Sequence, residues 1–374
     1  MRILVALAPL LVACADRPLQ PPGTNVTLSC TRPASFAATS TVKAGARVAL
    51  GDFNADGLPD VYNVHDSVWV NDGTGAFTQA WGPALDAIVD PPSYDTLSVG
   101  DLDGDRVPDV LLASWTSGFD VALGTKTPAL KPSVNVATGT AELAGRAVDL
   151  DGDGRAEIVL VDAEGQLVIG HWKHGAFHAQ QSTKLATILP PAYMDFADFD
   201  NDGKLDIAVG DYTGKLLVAR ADGTVLWSAP DSPYNSVSGL SAADVNGDGN
   251  VDLTYTGRAY HSDGDNFFIR LGDGQGNFGE PSEHLTKQGL SIPSYAMTDL
   301  DHDGIEDALV VMNTGSGVTV SFLRGKGDGS FRTPTKLTYV NAYGQVLVAD
   351  LDGDGCSDLL VADDQLNVTT YLRD

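Results

Sequence analysis

Seven segments of the chain place acidic or amide side chains at alternate positions around a tight turn and close on a further carboxylate. The first three are Asp52, Asn54, Asp56, Asp60; then Asp101, Asp103, Asp105, Asp109; then Asp149, Asp151, Asp153, Glu157. Four more follow as Asp198, Asp200, Asp202, Asp206; Asp244, Asn246, Asp248, Asp252; Asp299, Asp301, Asp303, Asp307; and Asp350, Asp352, Asp354, Asp358. The seventh residue of each segment, namely Leu58, Val107, Arg155, Lys204, Asn250, Ile305 and Cys356, adds a main-chain carbonyl. A ring of hard oxygens closed by a carboxylate is calcium chemistry, so the pattern predicts up to seven structural Ca²⁺ ions. These positions hold about half of the 50 acidic side chains, and without a cation such clusters repel one another or take up protons.

An EF-hand begins with the same spacing but requires Glu at position 12 and a helix on each side. Position 12 is Asn63, Leu112, Leu160, Val209, Tyr255, Val310 and Val361, which excludes it. Two loops depart from the pattern. Arg106 stands where the others carry the turn glycine, so a positive φ there is strained. Glu157 replaces the final Asp with a longer side chain that still reaches an ion.

The elements that hold these loops follow from their flanks. Short apolar runs precede and follow each loop, as in Arg47-Val-Ala-Leu-Gly and Asp206-Ile-Ala-Val-Gly, so each loop joins two strands. A third run then enters a Gly-rich turn such as Gly272-Asp-Gly-Gln-Gly-Asn-Phe278, and a fourth leaves it. Loop starts lie 49, 48, 49, 46, 55 and 51 residues apart, and four strands in about 50 residues make one propeller blade. The sequence therefore predicts an all-β, seven-bladed propeller over residues 34–374.

The seventh repeat ends at Asp374 after its third strand, while Ser35 to Val42 is a spare strand ahead of the first loop. We expect this N-terminal strand to complete the last blade, with Phe36 opening it, because an uncovered edge templates aggregation. That layout draws Cys30 towards Cys356, and a disulfide between them would clamp the closure by about 4 kcal/mol in the chain-entropy view. Residues 1–13 read as a signal peptide, with Arg2 ahead of an apolar run that is too short to span a bilayer. Leu11-Val12-Ala13-Cys14 resembles a bacterial lipoprotein signal, which implies acylation at Cys14, a tether over residues 14–33, and a secreted body anchored to a bacterial cell envelope or outer membrane.

A net charge of −27 leaves no basic face for phosphates, so nucleic acid is excluded as a partner. The repeats resemble the FG-GAP/VCBS propellers, the class that includes the integrin α-subunit headpiece, and Phe278-Gly279-Glu280-Pro281 is similar to that family's fourth-strand opening. The resemblance implies calcium of structural use and leaves the ligand open, since relatives include adhesion domains, sugar-binding propellers and polysaccharide lyases. Function is then expected on the opposite face, around a central funnel. Tyr94, Tyr193, Tyr234, Tyr295 and Tyr343, several next to Pro92, Pro191, Pro233 and Pro293, offer aromatic faces there, or else pack the tops of the blades. The leading expectation is a surface binding or adhesion module for an extracellular glycan or protein, touching membrane only through its lipid. The alternative is a carbohydrate-active lyase or hydrolase with its site in the funnel. No nucleophile elbow, phosphate loop or dinucleotide fingerprint is present, and His171, His174 and His178 form the remaining candidate metal cluster, in strands rather than on a helix.

Overall fold

The computed structural model describes residues 36–44, 47–82, 94–114, 118–138, 144–185, 191–229, 234–259, 264–285, 290–313, 317–340, 344–363 and 365–373. Cys14, Cys30 and Tyr343 lie outside them. The first strand, β1 (Phe36–Lys43), is followed by blade 1: β2 (Val48–Gly51), β3 (Asp60–Asn63), β4 (Ser67–Asn71) and β5 (Phe77–Trp81). Blade 2 is β6 (Tyr94–Gly100), β7 (Asp109–Ser114), β8 (Gly118–Ala122) and β9 (Val134–Val136). Blade 3 is β10 (Ala144–Val148), β11 (Glu157–Val161), β12 (Gln166–Lys173) and β13 (Ala176–Lys184). Blade 4 is β14 (Pro191–Ala197), β15 (Asp206–Asp211), β16 (Leu216–Arg220) and β17 (Val225–Ser228). Blade 5 is β18 (Tyr234–Ala243), β19 (Asp252–Ala259), β20 (Asp265–Arg270) and β21 (Ser282–His284). Blade 6 is β22 (Ser291–Thr298), β23 (Asp307–Asn313), β24 (Val318–Leu323) and β25 (Thr335–Val340). Blade 7 has β26 (Gly344–Ala349), β27 (Asp358–Asp363) and β28 (Asn367–Arg373).

Each blade is an antiparallel sheet of four strands, and the seventh has the order β1-β28-β27-β26. The N-terminal strand thus closes the ring as the repeat count requires, with Phe36 opposite Arg373 and Lys43 opposite Asn367. The cores lie between blades rather than within them. Both faces of the second strand of each blade are covered, so β7, β11, β15 and β27 are buried along their whole length. Their sequences are accordingly near-continuous apolar runs instead of alternating ones. Seven clusters fill these interfaces. One joins Val159 and Ile169 of blade 3 to Phe196 and Ile207 of blade 4, and another joins Leu50 of blade 1 to Leu360 of blade 7 across the closure, with Val42 of β1 packed on it.

The innermost strands would otherwise expose an unpaired edge to the axis. Side chains from the preceding blade cover several of its amides. Ala147 N–H donates to Ser98 Oγ (3.0 Å), Ala242 N–H to Asp195 Oδ2 (2.8 Å), Val346 N–H to Ser294 Oγ (3.2 Å) and Val48 N–H to Gln345 Oε1 (3.2 Å).

Candidate metal centres

The loop between the first and second strands has one construction in all seven blades. The first Asp takes the amide of the sixth residue, at 2.9 Å from Gly57 to Asp52 and 2.9 Å from Gly355 to Asp350. The fifth Asp takes the amide of the seventh, as in Leu58 to Asp56 at 2.9 Å and Cys356 to Asp354 at 2.8 Å. These bonds satisfy the amides of the turn and pre-shape it. The second residue of the loop is an apolar pin, buried at Phe53, Leu102, Phe199, Val245, Leu300 and Leu351 and half-buried at Leu150.

Among the described residues, carboxylates converge closely enough to hold an ion at Asp101, Asp103, Asp109; Asp149, Asp151, Glu157; Asp198, Asp200, Asp206; Asp299, Asp301, Asp303; and Asp350, Asp352, Asp358. The first and fifth loops carry Asn54 and Asn246 at the third position, where an amide oxygen takes the place of a carboxylate. The donor set therefore fits a hard divalent cation, with carboxylate and amide oxygens and no sulfur or imidazole.

The closing residue does more than its spacing suggests. Its outer oxygen accepts the amide of the apolar pin, from Phe53 to Asp60 at 2.9 Å, Leu150 to Glu157 at 2.8 Å and Leu351 to Asp358 at 2.9 Å. In five blades its other oxygen accepts an amide at or just beyond the third strand: Asn71 to Asp60 (2.9 Å), Gly124 to Asp109 (2.7 Å), Gly272 to Asp252, Gly325 to Asp307 and Arg373 to Asp358 (each 2.8 Å). It is a buried clamp between loop and blade, which gives a reason beyond ion binding for an acid at every ninth position. Burial, reinforced by the neighbouring loop acids, pushes this carboxyl up to about 7 at Asp60, Asp109, Glu157, Asp206, Asp252 and Asp307 and to about 6 at Asp358. Burial likewise raises Asp103, Asp301 and Asp352. Glu306, whose Oε2 is buried without a hydrogen bond, is raised to about 7 by burial and then by Asp299, Asp307 and Asp244. It belongs to no ligand position of the spacing pattern.

Arg106 adopts the turn conformation with φ 67°, where Gly57, Gly154 and Gly203 have 89°, 87° and 88°. Arg106→Gly is expected to raise stability by about 1 kcal/mol, read as a higher urea midpoint at unchanged slope. A lower midpoint would show that the side chain holds the loop.

Three residues hidden from the spacing pattern come from the third strand. Extending each second-to-third strand register by one residue places Val70, Leu123, His171, Arg220, Leu271, Arg324 and Leu372 opposite the closing acid. Four are aliphatic and three are basic. His171 Nδ1 lies 3.1 Å from Glu157, Arg220 contacts Asp200 and Asp202, and Arg324 contacts Asp301 at 2.7 Å and Asp303 at 2.8 Å. The histidine cluster is not drawn around a common point. His178 faces His171 across β12 and β13, but its Nε2 lies 3.2 Å from the Lys173 carbonyl, and His174 sits in the turn with φ 53°. Cys356 is disulfide-bonded, and its partner lies outside the described residues.

Tyr94, Tyr193, Tyr234 and Tyr295 stand inside the innermost strands, because β6, β14, β18 and β22 run further than their apolar cores through register shifts. Tyr94 and Tyr234 lie in β6 and β18, and their side chains are outside the described set. Tyr193 packs edge-on to Tyr212 at 6.3 Å. Tyr295 fits against Phe267, and its hydroxyl donates to the Thr254 carbonyl at 2.7 Å. Gly239 leaves the space for that ring, since a Cβ there would lie 2.9 Å from it. At one position of the innermost strands, three residues before each loop, consecutive blades carry the polar Ser98, Arg146, Asp195 and Ser241, of which Ser98, Asp195 and Ser241 are buried, and then the apolar Ala296, Leu347 and Ala49.

FG-GAP-like repeats match at residues 52–112, 149–209, 244–310 and 299–361. Among curated protein sequences none matches significantly. Among solved structures, a lectin of Agrocybe aegerita, described as recognising non-reducing terminal N-acetylglucosamine, superposes with TM-score 0.56 at 17% identity over 86% of each chain. The BBS1N chain solved in complex with ARL6DN superposes with TM-score 0.59 at 10% identity, covering 92% of this chain and 98% of that one. At these identities the likeness is one of fold.

Proposed function

Because the chain belongs to the FG-GAP-like repeat family, we propose that it is a calcium-stabilised binding module, secreted and held to the cell envelope through a lipid at Cys14, whose face opposite the loops takes a glycan or protein. The observation that carries the calcium reading is the donor set itself: seven loops of one construction, with carboxylates converging in five of them, closed by carboxyls that burial makes costly to ionise alone. The loop acids would hold a divalent ion, which would supply the positive charge, and the closing acid would tie the loop that carries it to the blade. The loops are thereby committed to the body of the protein, and recognition falls to the free end of the axis.

The calcium-loaded mature protein is to be tested on a glycan array that includes N-acetylglucosamine-terminated chains, with and without chelator. Calcium-dependent capture of a defined glycan class is the expected result. Capture accompanied by product release moves the assignment to a carbohydrate-active enzyme, and silence on the array by a melting-competent protein removes the glycan reading.

A further inference from the structure

Loops with the same acids differ in what stands opposite them. The second, fourth, sixth and seventh loops each carry four carboxylates, yet the third strand presents Leu123 and Leu372 to two of them and Arg220 and Arg324 to the other two. Arg220 directs both Nε and Nη2 at Asp200 Oδ2, with Asp202 at 3.9 Å. Arg324 donates through Nη2 to Asp303 at 2.8 Å and brings Nε to 2.7 Å from Asp301. The third and fifth loop positions are thus bound by a planar, permanently charged fork that matches carboxylate geometry. Both side chains stay about 40% exposed, at 42% and 38%, so each can swing into water without unpacking a core.

We propose that Arg220 and Arg324 are built-in counter-cations that occupy the cation position of the fourth and sixth loops, so that these two loops accept calcium only by displacing a guanidinium and bind it more weakly than the other five. The proposal rests on the calcium reading of the loops. Its chemistry is exchange of one cation for another on the same oxygens: the two charge-assisted contacts of the fork are broken as the ion's contacts form. Contacts of this strength correspond to a ten- to hundredfold loss of affinity, roughly. Blades 4 and 6 then keep a positive charge against two of their loop acids when calcium is scarce, and the ring carries two ribs that depend less on calcium.

Native mass spectrometry of the full mature chain across a series of free calcium concentrations counts the ions directly. The expected wild-type curve fills five sites first and two later, about ten- to a hundredfold higher in calcium. Arg220→Met and Arg324→Met each move one late site into the first phase, and Leu372→Met moves none. In chelator the arginine variants melt below wild type, since bare carboxylates are left facing one another, and calcium restores them. Arg220→Lys, which keeps the charge without the fork, falls between and guards against a variant that fails to fold. Seven sites filling in one phase, or variants that trace the wild-type curve, overturn the proposal while leaving calcium binding intact. Absence of bound calcium in every form, with the fold retained, overturns the calcium reading and this proposal with it.

Discussion

Chelating divalent cations at about pH 7.5 is expected to lower the melting temperature by on the order of 10 °C, while the same treatment at about pH 5 lowers it far less. The cause is the closing carboxyl of each loop. Six of these groups are pushed up to about 7 and Asp358 to about 6, chiefly by burial. A carboxyl raised in this way holds its proton more tightly in the fold than in the unfolded chain. Its contribution is complete below the unfolded range near pH 4 and is lost as pH rises to about 7. One pH unit of that displacement amounts to about 1.4 kcal/mol per group, so seven loops together rival the roughly 5–15 kcal/mol margin of an ordinary domain. Asp72, Asp222, Asp273 and Asp328 are lowered by turn hydrogen bonds or by local polar contacts, so their opposite trend falls below the ordinary carboxylate range; buried Asp195 and Glu306, also pushed up to about 7, add to the loss, while His65 and His284, lowered by burial, oppose it at the acid end. With calcium present the ion replaces the protons, and its hold tightens as pH rises. Melting curves with and without calcium should therefore diverge from pH 5 to 7.5, and parallel curves would sink the idea.

A chain that begins at residue 44 is expected to be less stable than one that begins at residue 34 by more than the roughly 5 kcal/mol that single substitutions rarely exceed. Both lack Cys14 and Cys30, so the comparison isolates β1. Without that strand, β28 loses the partner that pairs with it from Asn367 to Arg373. Val42 leaves the cluster that joins blades 1 and 7, and Phe36 leaves the one that joins blades 6 and 7. The readouts are the urea midpoint and light scattering, because an uncovered edge also promotes association. A peptide of residues 34–44 added in trans should restore the midpoint, and equal midpoints for the two chains would remove β1 as the clasp.

The blade count and the closure at Phe36 were legible because alternate acids around a turn recur at nearly fixed intervals, and a strand deficit at one end matches a surplus at the other. The acids that converge in five of the loops were legible for the same reason. What spacing could not carry is anything set by pairing across strands. Arg220 and Arg324 lie 20 and 21 residues from the carboxylates they meet, at Asp200 and Asp303, and register alone brings them there. The clamp made by the ninth residue was read only as a ligand, since its partners are main-chain amides that leave no trace in residue type. That Tyr193 and Tyr295 belong to strands was hidden for a related reason. Proline suggests a strand's end, but β14 begins on Pro191 and β22 runs through Pro293, each with a register shift.

The clasp between first and last strands also fixes an order of events. Thr41 meets Thr369 across 328 residues of chain, so the earliest strand to be made cannot find its place until the last has emerged. Blades built from neighbouring segments can form as the chain is delivered, each hairpin closing over a short loop, but the circle is completed only once β28 is available to β1. Until then the product is an open arc with two sticky ends, and its speed of completion depends on how long those ends stay apart.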